Sequence, residues 1–335
     1  MRRVLRFGLA GLGLALALLA VGLGLAHREI RSRDPALPSD AEVLALADAA
    51  GGPTALAWHE TSSQAAPRSQ VLDPTHDAEP NAPYVMSHPS FALGWPDRRL
   101  LLVDLGMEHD AAVAFSRPLR WVGGGIPITF GGPAEALGPA AARVAGVIFT
   151  HLHTDHVQGV LGLCAAREGA ALPVQGGASL PVFQTTAQTD LANYTTRPGR
   201  ALLAEAGCVA PRLLPDTALA PVPGFPGVAV VDAAGHTPGS QVVLAIVAST
   251  GRTRRLAFTG DVANHVAGIR QNVGKPFLYR LLIVPESEPR LGRLRQWLLH
   301  LERDLGFELA VAHDQAQLVS LALPGFEALR GPESR

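Results

Sequence analysis

The stretch Thr150-His151-Leu152-His153-Thr154-Asp155-His156-Val157-Gln158-Gly159 constrains this chain more than any other. It packs three imidazoles and one carboxylate into six residues, directly after the apolar run Val144 to Phe149. A strand ending there places those side chains on the loop at its C-terminal end, where α/β folds gather chemistry. A packed core has no use for such a cluster. Imidazole nitrogen and carboxylate oxygen are the ligands that suit zinc and similar divalent ions.

The theme recurs along the chain. Arg99 to Leu105 reads as a strand that runs into Asp104-Leu105-Gly106. Val228 to Asp232 leads to Gly235-His236-Thr237-Pro238-Gly239, and Arg255 to Phe258 to Thr259-Gly260-Asp261. Phe307 to Ala312 ends in His313-Asp314. Further strands are expected at Ala55 to His59, Ser90 to Trp95 and Gln241 to Ala248, with a Pro96-Asp97 turn. Helices are expected at Val157 to Arg167, Thr186 to Tyr194 and Arg200 to Gly207. Leu291, Leu294, Trp297, Leu298, Leu301 and Leu305 mark one face of another helix, with Arg290, Arg293, Arg295 and Arg303 on its wet side. Gly123 to Pro139 reads as a loop beside the site, and Leu172 to Pro223 as a less regular region shaping specificity. His59, His76, His88 and His109 have no motif around them and read as surface or loop residues; His300 reads as a solvated or interface residue. Cys164 and Cys208, the only cysteines, read as two free thiols, with one disulfide as the alternative.

Phe7 to Ala26 is an uncharged run of twenty residues, preceded by Arg2, Arg3 and Arg6. As a helix it rises about 30 Å, enough to cross a bilayer core. Residues 1–26 read as an uncleaved membrane anchor. A signal peptide is the alternative, because Gly24 and Ala26 are small residues spaced for cleavage. The address is then membrane-anchored or periplasmic, and Arg28, Arg31 and Arg33 beyond the run leave its orientation open. Residues 27–53 read as a linker with one short helix, Ser39 to Ala49, capped by Ser39 or Asp40. Residues 54–335 form the main domain.

The five ordered motifs (Asp104-Leu105-Gly106, His-x-His-x-Asp-His, Gly235-His236-Thr237-Pro238-Gly239, Gly260-Asp261 and Ala312-His313-Asp314) resemble the metallo-β-lactamase-fold hydrolase superfamily over roughly Thr54 to Leu321. The resemblance implies an α/β fold of the α+β type, a four-layer αββα sandwich behind the N-terminal hydrophobic helix. It implies two metal ions, zinc first among candidates, at one edge of the sheets. His151, His153 and His236 would hold one ion; Asp155, His156 and His313 would hold the other; Asp261 would bridge them. Asp104 would orient ligands without binding metal. Many zinc β-lactamases carry cysteine at the position of Asp261, and flavodiiron proteins carry glutamate at that of His153. The resemblance therefore points away from β-lactams and redox chemistry, towards the branch of acyl-homoserine-lactone lactonases. Those have a tyrosine three residues after the bridging aspartate, where this chain has Asn264. Asn264, His265 and, through space, Tyr194 are candidates to line the substrate pocket.

The expected activity is cleavage of an ester, lactone or thioester by a metal-bridging hydroxide, with Asp155 or Asp261 taking up its proton. Phosphodiester or phosphotriester hydrolysis on the same ligands is the alternative. A membrane-tethered metal-binding domain without turnover is the third reading. The expected partners are a small-molecule substrate and, through the N-terminal run, a membrane. With 17% charged residues and a net charge of −1, nothing suggests a nucleic-acid surface. The sequence leaves the oligomeric state open.

Overall fold

The computed structural model describes residues 2–169, 179–249 and 251–330. Its first sheet contains β1 (Ala55–Pro67), β2 (Pro83–Gly94), β3 (Leu100–Leu105), β4 (Ile128–Thr129), β5 (Val144–Ile148), β6 (Leu180–Gln184) and β7 (Val209–Leu213), in the order β4-β1-β2-β3-β5-β6-β7. The second contains β8 (Ala220–Pro221), β9 (Val228–Asp232), β10 (Gln241–Ser249), β11 (Arg252–Gly260) and β12 (Phe307–Val311), in the order β12-β11-β10-β9-β8. Both are mixed: β3, β5, β6 and β7 run parallel, as do β11 and β12, while β1, β2 and β3 and also β9, β10 and β11 are antiparallel neighbours.

The period-2 pattern of the strands sorts their side chains into layers. On β3, Leu101 and Val103 face the space between the sheets, and Leu100 and Leu102 face outward. On β10, Val243, Ala245 and Val247 point inward, and Val242, Leu244 and Ile246 point outward. Phe91 of the first sheet and Phe258 of the second meet between them, ring centroids 4.8 Å apart. Burying each such side chain stabilises the fold by about 1.5–3 kcal/mol.

Both faces of each sheet are apolar, so helices must cover the outsides. The helices, in chain order, are α1 (Arg2–Arg31), α2 (Asp40–Ala45), α3 (His109–Trp121), α4 (Pro133–Leu137), α5 (Thr154–Val157), α6 (Val160–Gly169), α7 (Thr186–Asp190), α8 (Arg197–Ala206), α9 (Val266–Gln271), α10 (Glu288–Asp304) and α11 (Gln315–Ser320). Residues of α4, α5, α6 and α8 pack on the first sheet, and those of α2, α9 and α10 on the second. The result is the four-layer αββα arrangement.

Several local expectations change. Cys164 on α6 and Cys208 just before β7 form a disulfide, with Cα atoms 5.6 Å apart. The 44-residue separation hid this proximity, because the crossovers through β6 and α8 return the chain to the same outer layer. The segment Leu172 to Pro223 proves regular from residue 179 onward, holding β6, α7, α8 and β7; residues 172–178 lie outside the described residues. Arg290 and Arg295 are buried, not on a wet face. Arg290 reaches Asp34 and the Asp232 carbonyl, and Arg295 reaches Glu288 and the Asn272 side chain. The segment expected as a linker lies against α10, with Val43 and Leu46 joining the outer core of the second sheet. Ser39 caps α2 through a reciprocal bond with Glu42. The apolar helix α1 extends through Arg31 and is the one described helix long and apolar enough to cross a membrane.

Candidate metal centre

Parallel pairing sets the site. β3 and β5 are in register at Val103 and Ile148, so Asp104 and the His151 loop emerge side by side. β11 and β12 likewise deliver Asp261 and His313 to the facing sheet edge. Gly260, at φ 49°, lets the two edges meet; a Cβ there would lie 2.7 Å from the Thr150 Cβ. Only glycine adopts this conformation without strain and leaves that space free.

Five imidazoles converge at the edge, and each is tied outward through one nitrogen. His156 Nδ1 donates to Asp104 at 2.8 Å, and His236 Nδ1 to Glu286 at 2.5 Å. His313 Nδ1 donates to the Ser87 carbonyl at 2.8 Å. The Thr195 hydroxyl gives its proton to Asn193, so it accepts from His153 Nε2 at 2.9 Å. Thr150 Oγ1 gives its proton to Asp104 and lies 3.3 Å from His151 Nδ1. Each tie fixes a tautomer and turns a bare nitrogen inward, the pattern in which histidines ligate metal.

The inward atoms form overlapping groups. His151, His153, His236 and Asp261 offer ligand atoms within 4.8 Å of one another; so do His156, Asp261 and His313, and so do His88, Asp155 and His313. Asp261 stands between the sets: Oδ2 is 3.3 Å from His236 Nε2, and Oδ1 is 3.0 Å from His313 Nε2. Inside the cluster His236 Nε2 faces His153 Nδ1 at 3.2 Å, and His156 Nε2 faces His313 Nε2 at 3.4 Å. The His151 Nε2 and Asp261 Oδ1 atoms are buried without a hydrogen bond. Facing lone pairs and orphaned buried acceptors are what divalent cations would satisfy. The His and Asp clusters thus suit a dinuclear centre.

The electrostatics divide the imidazoles into two kinds: burial lowers the pKa of His151 and His153, whereas His156 and His313, against the opposing effect of burial, are raised by nearby carboxylates and hold protons that a cation would have to displace. Burial holds His151 and His153 well below the usual imidazole range, hence neutral and ready to ligate. Burial opposes charge on His156, but Asp104 and Asp155 outweigh it and raise its pKa well above that range. Burial also opposes ionisation of Asp261, yet His313 and Lys275 keep its carboxyl well below the usual carboxylate range.

Asp104 does not reach the cluster's centre; its oxygens bind the Thr150 amide, the Thr150 hydroxyl and His156. Of the pocket candidates, Asn264 is buried with its Oδ1 unpaired. His265 instead caps α9 and lies 3.5 Å from Asp314. Tyr194 is 42% exposed and donates to the Ile283 carbonyl. Neither makes these contacts to a residue of the cluster.

Four other residues lie beside the cluster. His88, expected at the surface, is buried on β2 with Nδ1 3.3 Å from Asp155. Glu286 holds His236, and buried Lys275 donates to Glu286 at 2.8 Å and to the Asp261 carbonyl at 3.0 Å. Tyr279, half-buried, lies under Lys275, whose Nζ is 5.5 Å from the ring centroid. One signal was available for Lys275: it is the chain's only lysine. Glu286→Gln should weaken metal affinity or activity by about 10–100-fold by loosening His236. A metal titration of the variant checks this, and an unchanged affinity would refute the positioning role.

The sequence profile of the Metallo-beta-lactamase superfamily matches residues 84–273, more than half of the chain. The chain belongs to the metallo-beta-lactamase superfamily. Solved structures carry the same superfamily architecture. An N-acyl homoserine lactone hydrolase with N-hexanoyl-L-homoserine at its catalytic metal centre is 16% identical, with 80% of this chain and 96% of that chain covered and a TM-score of 0.52. A mutant protein from B. thuringiensis with N-decanoyl-L-homoserine at its active site is 15% identical, covering 80% and 96%, with a TM-score of 0.53. A probable metal-dependent hydrolase from Staphylococcus aureus is 10% identical, covering 79% and 91%, with a TM-score of 0.54. At these identities the likeness concerns the fold. A comparison with curated proteins found no match.

Proposed function

We propose that this superfamily member is a dinuclear metal-dependent hydrolase of ester, lactone or thioester bonds. The observation that carries the reading is the set of five outward-tied imidazoles with Asp261 shared between the two groups. His151, His153 and His236 would hold one ion, Asp155, His156 and His313 the other, and Asp261 both. Two divalent ions, zinc first among candidates, would supply an activated water and polarise the scissile carbonyl. Asp155 or Asp261 would take up the proton of that water. His88 Nδ1 stands 3.3 Å from Asp155 and would steady its carboxylate. Lys275 and Glu286 hold His236 and the Asp261 backbone in place. The acyl-homoserine products bound in the neighbouring structures support an acyl substrate.

Residues 54–335 carry this activity in our reading, and α1 addresses it to a membrane. The disulfide between Cys164 and Cys208 fits a catalytic domain facing an oxidising, extracytoplasmic compartment. Purified protein, assayed beside its metal content on p-nitrophenyl esters, lactones and phosphodiesters, tests the proposal. Turnover of esters or lactones with two metal equivalents is the expected outcome. Preference for phosphodiesters would move the reading to phosphoryl transfer, and bound metal without turnover would end it.

A further inference from the structure

The segment between the only lysine and α10 is unusual for a surface. Phe277, Leu278, Leu282 and Ile283 are 61%, 65%, 49% and 60% exposed, clustered around one short π-helical turn, Tyr279–Ile283. Contiguous exposed apolar side chains of this kind mark an interaction surface. The same projection touches α1: His27 Nε2 lies 3.1 Å from the Leu281 carbonyl. Ala20, Leu23, Gly24, Leu281 and Leu282 line one groove of about 790 Å³ together with His27, Arg28 and Arg31.

The level at which these meet decides the occupant. Leu12, Leu14, Leu16, Leu18, Leu19, Val21 and Leu25 of α1 are each more than half exposed, as lipid-facing residues are. The uncharged run ends at Ala26, so the contact at His27 lies where a bilayer's hydrocarbon would give way to headgroups. Arg28 and Arg31 stand in the same groove, where arginines snorkel towards phosphates. The apolar surfaces of α1 and of the projection are thus continuous, and cations sit where they join.

We infer that α1 stays attached and that the Phe277–Ile283 projection embeds beside it in the interface of a lipid bilayer. The catalytic domain then rests on the membrane at two points rather than swinging from one. The root of the projection is Lys275, which touches His236 and the Asp261 carbonyl, so the metal centre lies next to the lipid surface. The occupant is phospholipid, and the inference stands apart from the hydrolytic reading.

The test uses the full chain in vesicles of phosphatidylcholine and phosphatidylglycerol. Both native cysteines are bridged, so an introduced thiol can be labelled alone. Leu278→Cys and Ile283→Cys each carry an environment-sensitive fluorophore, with Trp121→Cys, at an 87% exposed position on α3, as the reference. Labels at 278 and 283 should emit to the blue and be quenched severalfold more by lipids spin-labelled near the headgroup than the label at 121. Equal quenching at all three positions overturns the inference. An intact mass lacking residues 1–26 in the membrane-assembled protein overturns it as well.

Discussion

Asp261→Ala is expected to give a folded protein that binds neither ion stoichiometrically and hydrolyses the best ester no faster than buffer. The effect is large because one carboxylate serves both groups of ligands. Its loss removes the acceptor 3.0 Å from His313 and the one 3.3 Å from His236, leaving bare nitrogens to repel one another across the centre. The fold survives because Lys275, 3.7 Å from the lost carboxylate, keeps Glu286 at 2.8 Å. An unpaired buried lysine would cost about 3–5 kcal/mol, and Glu286 prevents that. Elemental analysis, circular dichroism and the ester assay read the three parts separately. His151→Ala should behave alike, whereas His300→Ala on the exposed side of α10 should change none of them. Full metal stoichiometry with full activity in both Asp261→Ala and His151→Ala would sink the assignment.

Cys208→Ser should lower stability by about 4 kcal/mol on the chain-entropy account of a loop of this length. The bridge closes 44 residues, including β6, α7 and α8, on the outer layer of the first sheet. The melting temperature should fall by roughly 10 °C. The metal ligands should keep their places at low temperature, since none lies on the bridged segment. Thermal melts of the wild-type chain with and without reductant, beside those of the variant, measure it. A melt that neither reductant nor substitution moves would show that the bridge does not constrain the fold.

Both results rest on features that differ in how far the sequence reveals them. The strand ends that carry His151, His236, Asp261 and His313 were readable because each couples an apolar run to a polar terminus, and Val228 to Asp232 was read to the bounds of β9. His88 was not readable. It lies within β2, where Phe115 of α3 and His313, just past β12, pack over it, and no local pattern records that. Glu286 and Lys275 escaped for the same reason: their meaning lies in reaching His236 from 50 and 39 residues away. Arg290 and Arg295 were misread because helical periodicity assigns a wet face without knowing that Asp34, Glu288 and Asn272 wait there. The disulfide is the plainest case, since spacing alone cannot say where two cysteines meet.

Asp104 sits at φ 53°, a left-handed conformation that L-residues other than glycine adopt at a cost of roughly 1–2 kcal/mol. Its two oxygens meanwhile anchor the Thr150 amide, the Thr150 hydroxyl and His156. For an engineer, these demands make the position a poor tuning knob. Glycine would relax the backbone and surrender all the anchors, and glutamate would keep the charge but overshoot them. Adjusting metal affinity without touching foldability is better attempted at Glu286, which no such backbone demand binds.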